Sequence, residues 1–272
     1  SVKDHIQNDY YDTFAVPVNT LSGKGFYFIS YQKQKALEKL RGVKFRLKDT
    51  SATKKETSAL FEGSSTGFKD AYVVKFIEKS GFFSIIKCPI NGKEYKIEND
   101  LIKTYVEDAG KWSPAYMNFV LIFPYRKYKD KYKIIEENEL RDKFSLCWNY
   151  FNEHKHILKN RKSLKSSIWY AYSAPRSLEN YGIVKLLIQG FSIYSNVSID
   201  EIGDIFFGPD IYGLPIKEEH QKLTKYFLAI LNSNITNFFI RQVGVIDGSG
   251  YYKYEVRFIK NLPIKLPETP EE

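Results

Sequence analysis

Between Tyr226 and Pro263 the chain runs from an apolar helix through a glycine break into an aromatic, basic segment. Leu228, Leu231, Ile235 and Phe239 recur at helical spacing, and Phe227 and Ile230 widen that face. The spacing predicts a helix lying on a core. Asp247-Gly248-Ser249-Gly250 then predicts a loop, whose two glycines tolerate unusual backbone angles and let a partner approach closely. Tyr251, Tyr252, Lys253, Tyr254 and Arg257 follow, and the run closes on Asn261-Leu262-Pro263-Ile264. The ordinary reading is a core helix, a turn and an edge strand. The functional reading is a flexible loop flanked by rings and cations that face a partner.

The remaining apolar runs are short and punctuated by glycine and proline. Strands are expected at Gly25 to Tyr31, Val43 to Leu47, Ala71 to Ile77, Gly81 to Pro89, Lys93 to Ile97, Asn118 to Tyr125, Ile183 to Gln189, Phe191 to Tyr194 and Ile202 to Phe207. Helices are expected at Gln32 to Arg41, Glu98 to Tyr105, Asn138 to about Lys159 and Glu218 to Leu231. Asp49 to Ser58, rich in Thr, Ser and Lys, is expected to be a solvated loop, and Arg126 to Lys133 a basic one. Strands and helices intersperse without a repeat, which predicts an α+β fold with irregular mixed sheets and several helices.

Rings make up 16% of the chain, with 21 tyrosines and 20 phenylalanines, and they need burial or a partner to stack on. The formal charge of +9 favours a polyanionic partner, nucleic acid first and an anionic membrane surface second. No apolar run reaches the roughly 18 residues that span a bilayer, and Ser1-Val2-Lys3-Asp4 is no signal peptide. Cys88 and Cys147 stand far apart without CxxC spacing, which fits reduced thiols in the cytoplasm rather than a disulfide framework. The chain does not begin with methionine and is expected to be part of a longer protein.

Gly63 and Gly67 bracket Ser64, Ser65 and Thr66, and a strand follows. Hydroxyls and free backbone N–H groups in such a loop are able to hold a phosphate, or simply to turn the chain. It is not a Walker loop, because no Gly-Lys-Ser/Thr follows at the right spacing. GxGxxG, HExxH and GxSxG are absent, and His154 and His156 point to different faces of a helix. A nuclease-like set, Asp210 with Glu94-Tyr95-Lys96, can be picked from the scattered carboxylates. What stands out is binding chemistry. Arg126, Lys127, Arg161, Lys162, Arg176, Lys253 and Arg257 lie near turns, several beside Tyr125, Trp169, Tyr170 or Tyr252. Such cations neutralise phosphates, arginine pairs with guanine edges, and aromatic faces stack on unpaired bases. The competing reading is a solvated rim over an aromatic core.

The order of several segments carries a resemblance. Glu62-Gly63-Ser64-Ser65-Thr66-Gly67 leads into Ala71-Tyr72-Val73-Val74, and Tyr95 to Lys103 follows. Leu121-Ile122-Phe123-Pro124-Tyr125 comes next, then Leu158 to Arg161 with Trp169-Tyr170 and Pro175-Arg176. Ala229 to Ser233 and Asn261 to Ile264 end the series. Together they resemble the target-recognition domain of TaqI-type adenine-N6 DNA methyltransferases, including enzymes that fuse restriction and modification on one chain. The resemblance covers residues 60 to 266.

It implies a domain that reads a short sequence in double-stranded DNA for a separate catalytic methyltransferase domain. It also implies three parts: residues 1–60 as a segment packing on the domain, 61–266 as the recognition domain, and 267–272 as a tail. The catalytic Asn/Asp-Pro-Pro-Tyr motif has no counterpart, since the sequence contains no Pro-Pro. S-adenosylmethionine is therefore expected only in that separate domain, and no catalytic residue or metal ligand is assigned. The residues expected at DNA are Gly63, Ser64, Ser65, Thr66, Gly67, Tyr125, Arg126, Arg161, Lys162, Arg176, Lys253 and Arg257. Two other readings stand beside this one. One is a stand-alone metal-dependent nuclease. The other is half of a type I specificity subunit, although no sustained heptad marks the spacer such a subunit needs.

Overall fold

The computed structural model describes residues 6–7, 12–13, 30–52, 60–129 and 131–267. Expected elements at 25–29 and 53–58, and the tail from 268, lie outside the described residues. In chain order, β1 (Ile6–Gln7) pairs with β2 (Asp12–Thr13), and α1 (Tyr31–Gly42) follows. Then come β3 (Phe61–Glu62), β4 (Val73–Ser80), β5 (Phe83–Lys87), β6 (Glu94–Glu98), β7 (Ile102–Val106) and β8 (Phe119–Ile122). A hairpin of β9 (Tyr125–Tyr128) and β10 (Lys131–Ile134) leads to α2 (Glu137–Lys143), α3 (Ser145–Glu153) and α4 (Lys155–Lys159). The second half holds β11 (Lys185–Gln189), β12 (Phe191–Ser192), β13 (Val197–Asp200), β14 (Phe206–Phe207) and β15 (Ile211–Pro215). It ends with α5 (Thr224–Leu231), α6 (Asn234–Val243), β16 (Tyr252–Lys253) and α7 (Val256–Ile259). The fold is α+β, as expected, and among the described residues no helix is long and apolar enough to cross a membrane.

Two sheets organise the molecule. The larger has the order β14-β7-β8-β4-β5-β6, with β14 parallel to β7 and the other neighbours antiparallel. The smaller has the order β13-β11-β15-β3 and is antiparallel. Side chains alternate across a strand, so a central strand covered on both faces reads as a continuous apolar run. β11 shows this directly. Leu187 enters the first core, under the larger sheet, while Leu186 and Ile188 enter the second. Phe61 and Ile211 share the first side; Tyr212 and Leu214 share the other. The second core is closed by α5, α6 and α7, and by Leu37 and Leu47 from the N-terminal part. Lys185 is fully buried in β11, where its ammonium pairs with Asp200, its cross-strand partner, and donates to the Gly203 carbonyl at 3.0 Å.

The expected long helix at 138–159 is broken twice. Phe144 leaves helical angles (φ −131°, ψ 53°), and the Glu98 carboxylate accepts from the Leu146 and Cys147 amides at 2.8 and 3.0 Å. An anion at exposed N–H groups stabilises a new helix start. At His154, Nδ1 lies 2.8 Å from the Tyr150 carbonyl and competes with the helix ladder. The apolar helix from Tyr226 is likewise two helices. Asn232 folds back, donating to the Val197 and Leu228 carbonyls, and Ser233 caps α6 by accepting from the Ile235 amide. The break resets the helical phase and leaves Ile235, expected in the core, 53% exposed.

Other expectations are corrected by pairing. Glu98–Tyr105 is a short turn and then β7, because β-branched Ile102 and Thr104 meet a partner strand in β8 and Val106 one in β14. The basic loop at 126–133 is the β9–β10 hairpin. Val43–Leu47 contributes only a bridge from Arg46 to Pro263. Of Ile202–Phe207 only β14 is strand; the Asp200 carboxylate accepts from the Gly203 and Ile205 amides and curls the chain, leaving Ile202 exposed. Phe191, Ile193 and Tyr194 are exposed rather than buried. Val197–Asp200 and Ile211–Pro215 are strands that periodicity missed.

Candidate nucleic-acid interface

The loop from Gly63 to Gly67 leaves β3 at the junction of the two sheets. A Cβ on Gly63 would overlap the carbonyls of Phe207 and Gly208, so only glycine lets β3 pass β14 this closely. The loop is then laced to residues 173–176. Ser65 and Ala174 exchange two backbone bonds at 3.0 Å, and the Ser173 amide donates to the Thr66 carbonyl at 3.3 Å. The Ser64 hydroxyl donates to the Arg176 carbonyl at 3.2 Å. Gly67 turns the chain at φ +77° with the Ser163 and Ser173 hydroxyls packed against it.

Behind this loop sits Arg161, 8% exposed. Its Nε donates to the Leu158 carbonyl, and its Nη2 to those of Trp169 and Ala171, each at 2.8 Å. Its Nη1 donates to the Thr66 carbonyl, and its charge lies 5.6 Å from the Tyr72 ring centre. The guanidinium is therefore a clamp on four carbonyls rather than a surface contact. Tyr125 is corrected in the same way. It is buried, and its hydroxyl accepts from the Tyr172 amide at 2.7 Å. Burial holds that phenol well above its ordinary pKa, against the opposing effects of the Tyr172 amide and Arg161. Ser64, buried and bonded, is also structural.

In front of the loop a cleft of about 380 Å³ opens. Ser64 to Lys69 form one wall and Gly208 to Ile211 the other, with Val73, Tyr105 and Glu107 between them. Lys69 and Glu107 pair at 2.7 Å on its rim. Burial first, then the Glu107 and Asp210 carboxylates, push the Tyr105 phenol above its ordinary pKa, so it stays a proton donor. Sequence reasoning missed Lys69 and Tyr105, and weighed Asp210 only as a metal ligand. Their convergence depends on β14 lying beside β7, which no local pattern encodes.

A second cationic face is built by β12, β16 and α6. The Arg241 guanidinium lies between two rings, 5.2 Å from Tyr194 and 5.4 Å from Tyr252, and Lys253 lies 5.6 Å from the Phe191 ring. Arg257 pairs with Glu255 at 2.7 Å, and Lys253 approaches the same carboxylate at 3.9 Å. Asp247 organises the Gly248–Gly250 turn by accepting from the Ser249 amide, the Ser249 hydroxyl and the Tyr251 amide. That turn is exposed and does not line the cleft. Two backbone bonds nevertheless tie this face to the cleft wall: the Tyr254 amide donates to the Gly190 carbonyl, and the Gly190 amide to the Asp210 carbonyl, at 2.9 and 2.8 Å. Arg241 escaped the sequence reading because its two rings come from segments 47 residues behind it and 11 ahead, at 194 and 252.

The remaining candidate side chains line neither the cleft nor the Arg241 face. Arg126 is paired with Glu139, which also holds Lys143. Arg176 is paired with Glu62, both groups part-exposed. Lys162 is exposed just beyond α4. The nuclease-like set is not assembled. Glu94 lies on β6, at one edge of the larger sheet, and Asp210 follows β14 at the other edge. Among the described residues no cluster of three metal-ligating side chains occurs.

An alignment 146 positions long, covering 49% of this chain, shows 25% identity to the type II restriction enzyme and methyltransferase RM.Eco57I of Escherichia coli. The chain spans 14% of that protein's length. A solved structure of the type IIL restriction–modification enzyme MmeI in complex with DNA aligns with 76% of this chain and 25% of its own, at 12% identity and a TM-score of 0.46. Residues 129–264 match the model of the TaqI-like C-terminal specificity domain, which makes the chain a member of that family.

Proposed function

We propose that this chain is the DNA-reading domain of a larger cytoplasmic restriction–modification enzyme or adenine-N6 DNA methyltransferase. Methyl transfer, and the binding of S-adenosylmethionine, belong in this reading to a separate catalytic domain. The observation that carries it is the specificity-domain match over residues 129–264, a span that includes Arg241, Tyr252 and Lys253. The name of RM.Eco57I adds support for a parent that both cuts and methylates.

The chemistry fits a duplex partner. An arginine held between two tyrosines keeps its planar donors in one orientation, so little rotamer entropy is lost when a phosphate arrives. Phosphate contacts of this kind set register, while base-edge contacts set sequence. The test is fluorescence anisotropy with a labelled duplex between about 50 and 200 mM salt. Affinity is expected to fall linearly on a log–log plot, and Arg241→Ala to lower the slope by roughly one. Binding that ignores salt, or no binding at low salt, refutes the reading.

A further inference from the structure

The cleft beside the Gly63–Gly67 loop carries polar groups that the fold does not use. Tyr105 is 8% exposed, yet its hydroxyl has no hydrogen-bond partner among the described residues while it lines the cleft. That hydroxyl is not among the fully buried unpaired atoms, so it opens to water in the cleft and is free to give its proton to a ligand that displaces the water. On the Gly208–Ile211 wall, against which the Tyr105 hydroxyl lies, the exposed Asp210 carboxylate takes no ion pair among the described residues. Ser65 and Thr66 line the cleft as well, their side-chain hydroxyls without hydrogen-bond partners among the described residues. Between these groups Val73 and Ile211 supply an apolar floor.

From this arrangement we propose that the cleft receives the amino-bearing edge of a single nucleobase, adenine or cytosine. The proposal rests on the DNA-reading assigned above and names the ligand of a second site within it. A carboxylate accepts from an exocyclic amino group, and a phenol donates to the ring nitrogen beside it. Both partners are present on adenine and cytosine. Thymine offers a carbonyl where the amino group should be and would face Asp210 with like-signed charge density. The cleft volume of about 380 Å³ accommodates one ring system but not a stacked pair. A base reaching it must leave the helix stack, which costs least where the base is unpaired.

The test uses the 272-residue chain. Duplexes carrying one unpaired adenine, cytosine or thymine are titrated at fixed salt, alongside free deoxyadenosine, deoxycytidine and thymidine. The unpaired adenine or cytosine duplex should bind about tenfold more tightly than the thymine one, the discrimination expected of one hydrogen bond to a charged group. Tyr105→Phe and Asp210→Ala should each remove the preference and leave the salt slope unchanged. Urea midpoints report whether each variant folds, and failure of one leaves the other as the test. Equal binding of the three duplexes, or a preference that survives both substitutions, overturns the proposal. Salt-dependent duplex binding without preference sinks the cleft alone. Capture of free deoxyadenosine over thymidine, with no duplex binding at low salt, keeps the cleft and sinks the DNA reading.

Discussion

Replacing Arg161 by alanine separates a structural cation from a DNA contact. The guanidinium donates to four backbone carbonyls, of Leu158, Thr66, Trp169 and Ala171, from a site 8% exposed. A hydrogen bond contributes about 1 kcal/mol net, so losing four costs about 4 kcal/mol. With a urea dependence of about 3 kcal/mol per molar, the unfolding midpoint should fall by roughly 1.3 M. Arg161→Lys keeps the charge but replaces a planar fork with a point, and should recover less than half of the loss. Because one of the four carbonyls is that of Thr66, the Gly63–Gly67 loop should lose order as well. Urea denaturation followed by tyrosine and tryptophan fluorescence measures the first effect, and the salt slope of DNA binding provides the contrast. An unchanged midpoint with a slope lowered by about one would mean that Arg161 reaches a phosphate, and the clamp argument fails.

Two further outcomes are expected. Gly63→Ala should destabilise the fold by about 1–3 kcal/mol, because the added methyl meets the Phe207 and Gly208 carbonyls and the backbone must give way; an unchanged melting temperature would show that β3 and β14 are not so closely apposed. The Asp247 carboxyl should titrate below its ordinary value of about 3.9, chiefly because the Ser249 hydroxyl donates to its charged form. Its support of the 247–251 turn is thus complete above the ordinary value and is lost as pH falls through the lowered one. An NMR titration of that carboxyl decides the point, and a midpoint at or above the ordinary value excludes the hydrogen-bonded turn.

Local pattern reached some of this molecule and not the rest. The 31–42 helix, the β4–β5–β6 strands and the α+β class follow from periodicity and punctuation, as does the loop between two glycines. The breaks at Phe144 and Asn232 do not, because they are held by groups distant in sequence, the Glu98 carboxylate at one and the Val197 carbonyl at the other. The cations divided for a similar reason. Arg161 and Lys162 are neighbours in sequence, yet one is folded into a cage of carbonyls and the other faces water. Charge beside an aromatic residue identifies a class of side chain, while its destination depends on which turn closes around it. The cleft drew on both kinds of information, since one wall is the legible Ser64–Gly67 loop and the other depends on the parallel pairing of β14 with β7.

The strand β11 has consequences for how the molecule responds to load. Neighbouring residues along it anchor opposite halves of the protein, Leu187 in one and Leu186 and Ile188 in the other. Losing the strand would open both interiors at once. A pull on the Arg241 side is borne by the same backbone that backs the Ser65 side. The two surfaces are therefore tied to one strand and held at a fixed spacing.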